Sequence, residues 1–70
     1  MPVVDVTLAQ GRTPEQLRTL VTALTDAVVE AVGAPRESVR VILREVPPTH
    51  FAAGDVTIAE RRSRTEEEPS

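Results

Sequence analysis

Cysteine, lysine, tryptophan and tyrosine are all missing from this chain of 70 residues, which holds one phenylalanine, one histidine and one methionine. Without cysteine, neither a disulfide framework nor a thiolate metal site can staple the fold. The missing lysine, cysteine and tyrosine also remove the Schiff-base amine, the thiol nucleophile and the phenolic acid from the usual catalytic groups. Proton chemistry near neutral pH is left to His50, to a carboxylate of shifted pKa, or to the terminal amine. His50 has no second ligand nearby in sequence, so no metal is expected, and no Gly-rich phosphate loop is present. The start of the chain has neither the basic segment nor the apolar run of a signal peptide, and nothing nears the ~18 apolar residues of a membrane span. A cytoplasmic protein without a membrane partner is the expectation. A net charge of −3 gives no concentrated basic face, so no nucleic-acid partner is expected either.

What is present fits one small domain. A chain this short buries only about 60% of its unfolded surface, so association is expected to supply the stability that its own core lacks. "VVDVTL", Val3 to Leu8, alternates as a half-buried strand does, with Val4, Val6 and Leu8 on one side and Asp5 and Thr7 on the other. "TPEQ" starts a helix: Thr13 is the N-cap, Pro14 the first helical residue, and Gln16 completes a capping box. Leu17, Leu20, Val21, Leu24 and Val28 form an apolar stripe that runs to about Val32; Gly33 suits the C-cap and Pro35 forbids continuation. "SVRVILRE", Ser38 to Glu45, alternates again. Two strands joined by one helix predict parallel pairing with a right-handed crossover, leaving two bare edges and one uncovered face. "VPPTHFAAGD" predicts a short hairpin with "VTIA" as a third strand. Residues 2–60 are expected to form the domain and 61–70, where three arginines and three glutamates cancel, a disordered tail.

Four residues are candidates for function, and each has a plainer reading beside it. Pro2 follows the initiator methionine; if Met1 is removed, it becomes a secondary amine on a rigid ring, and an apolar pocket beside cations would keep a fraction of it neutral and basic. Otherwise it only starts an edge strand. Arg12, in the turn after the first strand, is placed to clamp a carboxylate bidentately, or is a solvated loop arginine. Arg40 interrupts an apolar strand and needs a partner: a carboxylate such as Glu45, a neighbouring chain or a ligand. Phe51 is core or pocket wall, and His50 beside it is expected to be a hydrogen-bonded turn residue.

Pro2, "GRTPEQL", "SVRV", Glu45 and "HF" in this order and spacing resemble the 4-oxalocrotonate tautomerase family over about residues 2–58. The resemblance implies an α+β fold: a β-α-β protomer with a short C-terminal hairpin, dimerising to a four-stranded sheet backed by two helices. It further implies a homo-oligomer, a hexamer built as a trimer of dimers, and a cofactor-independent isomerase. The substrate implied is a small unsaturated 2-hydroxy or 2-oxo carboxylate like 2-hydroxymuconate, of the kind met in aromatic-compound catabolism. By the same resemblance, Pro2 is the general base and Arg12 binds the remote carboxylate. Arg40, supplied by a neighbouring subunit, binds the 2-oxo or enol oxygen, and Phe51 keeps the pocket apolar. Alanine at positions 9, 52 and 53 departs from the family prototype, so the pocket wall and the substrate are expected to differ. Related hydrolytic dehalogenases carry an arginine near position 9 and a carboxylate near position 53, and alanine at both makes dehalogenation the weaker enzymatic reading. The same residues are also compatible with a related reaction at the proline amine, such as hydration, or with an oligomeric binding module that has no catalytic role.

Overall fold

The computed structural model describes residues 1–67, arranged as strand β1 (Val3–Ala9), helix α1 (Pro14–Val32), strand β2 (Arg40–Val46), a two-strand hairpin β3 (Ala52–Ala53) and β4 (Val56–Thr57), and helix α2 (Ile58–Glu67). Short 3-10 turns at Arg36–Ser38 and Pro48–His50 lead into β2 and out of it. β1 and β2 pair in parallel, in a register that sets Val3 against Arg40 and Ala9 against Val46. This is the expected β-α-β unit followed by the expected short C-terminal hairpin.

The helix boundaries have local causes. The Thr13 hydroxyl accepts from the Gln16 backbone N–H at 3.1 Å, while the Gln16 side chain accepts from the Thr13 N–H at 2.9 Å. These bonds satisfy two of the amide donors that a helix start leaves unpaired. At the other end Gly33 takes φ 70, the left-handed conformation in which a Cβ costs energy, and its N–H returns to the Val29 carbonyl. The expected stripe of Leu17, Leu20, Val21, Leu24 and Val28 is the half-buried face of α1, whereas Val32 is 68% exposed and lies outside it.

Val4, Val6, Leu8, Val41 and Leu43 form the half-buried face of the sheet, and α1 lies against β2. The opposite face carries Val3, Asp5 and Thr7 beside Arg40, Ile42 and Arg44, and all six are exposed. An ion pair crosses it: Arg44 Nε and Nη2 donate to the Asp5 carboxylate at 2.9 and 3.1 Å. The guanidinium holds the Asp5 carboxyl below its ordinary value by hydrogen bonding and charge. Ala9 is the one hydrophobic residue that is buried among the described residues. The radius of gyration, 15.9 Å, exceeds the ~11 Å of a compact chain of this length. So little burial in so extended a protomer is what a subunit made to associate looks like.

Two expectations need correction at the C-terminal side. Strand β4 stops at Thr57, so "VTIA" is not a third strand. It stops because Thr57 is a second N-cap: its hydroxyl accepts from the Glu60 N–H at 3.1 Å and the Glu60 carboxylate accepts from the Thr57 N–H at 2.8 Å. Those two bonds turn the chain into α2, which runs through Glu67, so most of the segment expected to be a disordered tail is helical; its last residues, 68–70, lie outside the described ones. The hairpin itself turns at Gly54 and Asp55, with φ 58 and 67, the two left-handed residues that a tight two-residue hairpin loop requires.

Candidate active site

The parallel ladder has a start end and an exit end, and the four candidate residues divide between them. At the start end the Arg40 backbone N–H donates to the Pro2 carbonyl at 3.0 Å, so the strand pairing itself brings these two residues together. Pro2 is half-buried, and Met1 ahead of it is 83% exposed. The Arg40 side chain is exposed and donates to the Glu37 carbonyl at 2.8 Å. Glu45 is not its partner: five residues along one strand places the two on opposite faces, about 16 Å apart. A neutral carbonyl leaves the Arg40 charge without a counterion among the described residues.

At the exit end the turn after β1 and the segment after β2 enclose an open cleft of about 340 Å³, which is within the range that holds a small ligand. Thr7 to Ala9 of β1 form its floor, Phe51 and Ile58 its apolar walls, and Arg12 and Arg62 its polar rim. Each position has a local reason. Arg12 Nη1 reaches back to the Ala9 carbonyl at 3.5 Å, over the last rung of the ladder. The Phe51 carbonyl accepts from the Ile58 N–H at 2.8 Å, which ties the two walls together across the hairpin. Ala9, buried and with the smallest side chain of the floor, lines the cleft. Alanines 52 and 53 lie instead in β3 and are exposed.

The fold therefore brings Arg12 together with Phe51, and Pro2 together with Arg40, but it does not unite the pairs. The length of β1 keeps them about 20 Å apart within one chain. His50 is exposed in the 3-10 turn, its backbone N–H donating to the Pro47 carbonyl at 2.8 Å. Among the described residues no cluster of three potential metal ligands exists, and no helix is long and apolar enough to cross a membrane.

Arg62 and Ile58 were not among the residues picked from the sequence. Their signal was the "TIAE" that opens α2, a Thr-x-x-Glu capping box placed just after the hairpin. Taking "VTIA" as a strand hid it.

Comparison with known proteins agrees with this architecture. The sequence model of the Tautomerase family, described as tautomerase enzyme, matches residues 2–61. A probable tautomerase of Ralstonia nicotianae is 52% identical over 56 residues, covering 80% of each chain. Among solved structures, TomN, a 4-oxalocrotonate tautomerase homologue in the tomaymycin biosynthetic pathway, is 45% identical, with a TM-score of 0.85 over 89% of this chain and 95% of its own. A heterohexamer 4-oxalocrotonate tautomerase from Chloroflexus aurantiacus is 40% identical, with a TM-score of 0.82 over 86% and 97% of the two chains. A match that begins at Pro2 and runs through the β-α-β unit, the hairpin and the start of α2 makes this chain a member of the tautomerase family.

Proposed function

We propose that this protein is a cofactor-independent tautomerase that moves a proton within a small unsaturated 2-hydroxy or 2-oxo carboxylate, using the amine of Pro2 after removal of Met1. The observation that carries the proposal is the division of the four candidate residues between the two ends of one ladder. Two protomers joined along their bare β1 edges in antiparallel orientation form a four-stranded sheet backed by two helices. That union sets the start end of each chain against the exit end of its partner, so that Pro2 faces a cleft holding Arg12 and Phe51. The exposed Val3 and Ile42 favour further association through the uncovered face. We take the assembly to be six chains, by analogy with the heterohexamer from Chloroflexus aurantiacus.

The chemistry then needs only the terminal amine and side chains of the protein. The neutral Pro2 nitrogen takes the enol proton and returns it to carbon along the conjugated chain. Arg40, contributed by a neighbouring subunit and lacking a counterion, stabilises the charge that develops on the 2-oxygen, as preorganised donors do for an oxyanion. Arg12 holds the remote carboxylate, and Phe51 and Ile58 keep water away from the reacting atoms. Arginine and an apolar wall beside the amine both disfavour its protonated form.

The test is ketonisation of 2-hydroxymuconate followed by ultraviolet absorbance, using protein whose intact mass shows that Met1 is gone, beside Pro2→Ala. Turnover by the wild type that drops at least about 10²-fold in the variant is expected, the scale on which a general base acts. Equal rates in the two proteins would remove Pro2 from the mechanism.

A further inference from the structure

We propose that Thr7 of β1 is a substrate-contacting residue whose hydroxyl donates a hydrogen bond to the 2-oxygen of the substrate, from the floor of the exit-end cleft. The proposal rests on the tautomerase function above and adds a second donor at the oxygen where charge develops. Thr7 and Ala9 are two residues apart on one strand, so both stand on the sheet face opposite α1, and both line the cleft. Apart from Thr7, the side chains of the cleft are either apolar or arginine. Among the described residues, the Thr7 hydroxyl is thus its one neutral hydrogen-bonding side chain.

That hydroxyl is not used by the fold. Thr13 and Thr57 spend theirs on helix caps, and Thr22 and Thr25 bond to carbonyls of α1 at 3.4 and 2.8 Å, whereas the Thr7 hydroxyl has no partner among the described residues. Arg44 stands opposite Thr7 in the ladder but turns its guanidinium to Asp5, donating from Nε and Nη2 at 2.9 and 3.1 Å. Asp5 holds Arg44 away, and the hydroxyl stays open to the cleft.

Distance selects the atom that it meets. Arg12, the remote-carboxylate group of the proposed function, reaches the Ala9 carbonyl, and extended strand geometry puts Thr7 about 6.6 Å from Ala9. In an extended six-carbon diacid, the four bonds between the remote carboxyl carbon and C2 span about 5 Å, and the carbons between them carry no polar atom. An acid anchored at Arg12 and laid along β1 therefore brings its 2-oxygen to the hydroxyl. A donor is what the reaction needs there. Pro2 removes the enol proton, so a group that only accepted would compete with it, whereas the Thr7 O–H donates to a lone pair that enol, enolate and ketone all offer. The bond strengthens as negative charge builds on the oxygen, so its effect falls on turnover more than on binding.

The experiment compares wild type, Thr7→Val, which keeps the branched shape that suits a strand, and Thr7→Ser, which keeps the hydroxyl. On 2-hydroxymuconate, Thr7→Val should lower kcat about tenfold with KM within about threefold, less than the loss of a sole oxyanion donor because Arg40 remains. Thr7→Ser should keep kcat within about threefold of wild type. A kcat that Thr7→Val leaves unchanged, or that falls equally in Thr7→Ser, overturns the proposal. A second measurement does not depend on turnover: calorimetric titration with 2-oxoadipate and with adipate, acids of one length that differ in the 2-oxygen. Thr7→Val should bind 2-oxoadipate about fivefold more weakly and adipate unchanged. Equal weakening for both acids would mean that Thr7 only shapes the floor, and no weakening for either that its hydroxyl does not reach the oxygen; both overturn the contact, as does a wild type that binds neither acid. A wild type whose binding of 2-oxoadipate depends on Thr7, but which does not turn over 2-hydroxymuconate, instead sinks the tautomerase function while leaving the contact standing.

Discussion

At the start end of the β1–β2 ladder, half-buried Pro2 and exposed Arg40 are joined by one backbone hydrogen bond beside Met1 and Val3, which are 83% and 57% exposed. At the exit end, a turn, a hairpin and a capped helix of the same chain enclose a cleft of about 340 Å³ with apolar walls and two arginines. One end thus holds Pro2 and Arg40, and the other a cleft lined by Arg12 and Phe51. Strand length causes the split, since seven extended residues cannot bring their own two ends together. On the proposed function, such a chain completes its site only when another copy covers its start end, a reading that the small buried share of the protomer supports.

Mixing two defective variants gives the sharpest way to break that contrast. Pro2→Ala and Arg12→Ala should each lose activity, the first by at least about 10²-fold. After unfolding and joint refolding, the mixture should exceed the sum of the separate activities, because a Pro2 from one chain can meet an Arg12 from the other. Activity no greater than that sum would place both groups of each site in one chain and contradict the division of ends.

Smaller effects should separate the exit end from the rest of the fold. Thr57→Ala removes the hydroxyl half of the α2 cap, at a cost of about 1 kcal/mol to that helix, and should raise KM for a dicarboxylate while leaving kcat within about twofold. Thr13→Ala makes the equivalent change at α1, again about 1 kcal/mol, and should lower the midpoint of thermal unfolding without a selective change in KM. Indistinguishable KM values for the two variants would detach α2 from the cleft. Gly33→Ala tests the backbone alone: no atom lies within 4 Å of the new Cβ, so only the φ of 70 opposes it. About 1 kcal/mol of stability should be lost at no cost in catalysis.

Acid should produce the smallest effect, and again on one side. The Thr57 backbone N–H and hydroxyl both donate to Glu60, holding its carboxyl below the ordinary 4.5. A lowered folded-state pKa means that this stabilisation is fully present above 4.5 and is lost as pH falls through the lowered value. Amide exchange in α2 should therefore quicken in that range before exchange in α1, whose cap is the uncharged pair Thr13 and Gln16. Simultaneous loss of protection in both helices would show that the caps do not control it.

The elements legible in the sequence were those specified by neighbours within a few residues. The box of Thr13 and Gln16, the stripe from Leu17 to Val28 and the stop at Gly33 all act inside one helix, and the alternation of Val4, Val6 and Leu8 acts inside one strand. Where two local signals overlapped, the pattern misled: β-branched Val56, Thr57 and Ile58 suit a strand, yet Thr57 with Glu60 is a cap, and two formed hydrogen bonds decide for the helix over a weak propensity. Arg62 went unnoticed because its place at the cleft depends on that helix and on the turn after β1, which is distant in the chain.

By itself, then, the sequence determined the β-α-β unit, its helix limits, the alternating faces and the identities of Pro2, Arg12, Arg40 and Phe51, all through periodicity, capping and chemical type. Tertiary structure alone decided which of these residues meet. The parallel register joins Pro2 to Arg40, the segment after β2 returns Phe51 to Arg12, and the second capped helix adds Arg62. Such proximity depends on how elements distant in the chain fold back on one another, and no local pattern carries that information.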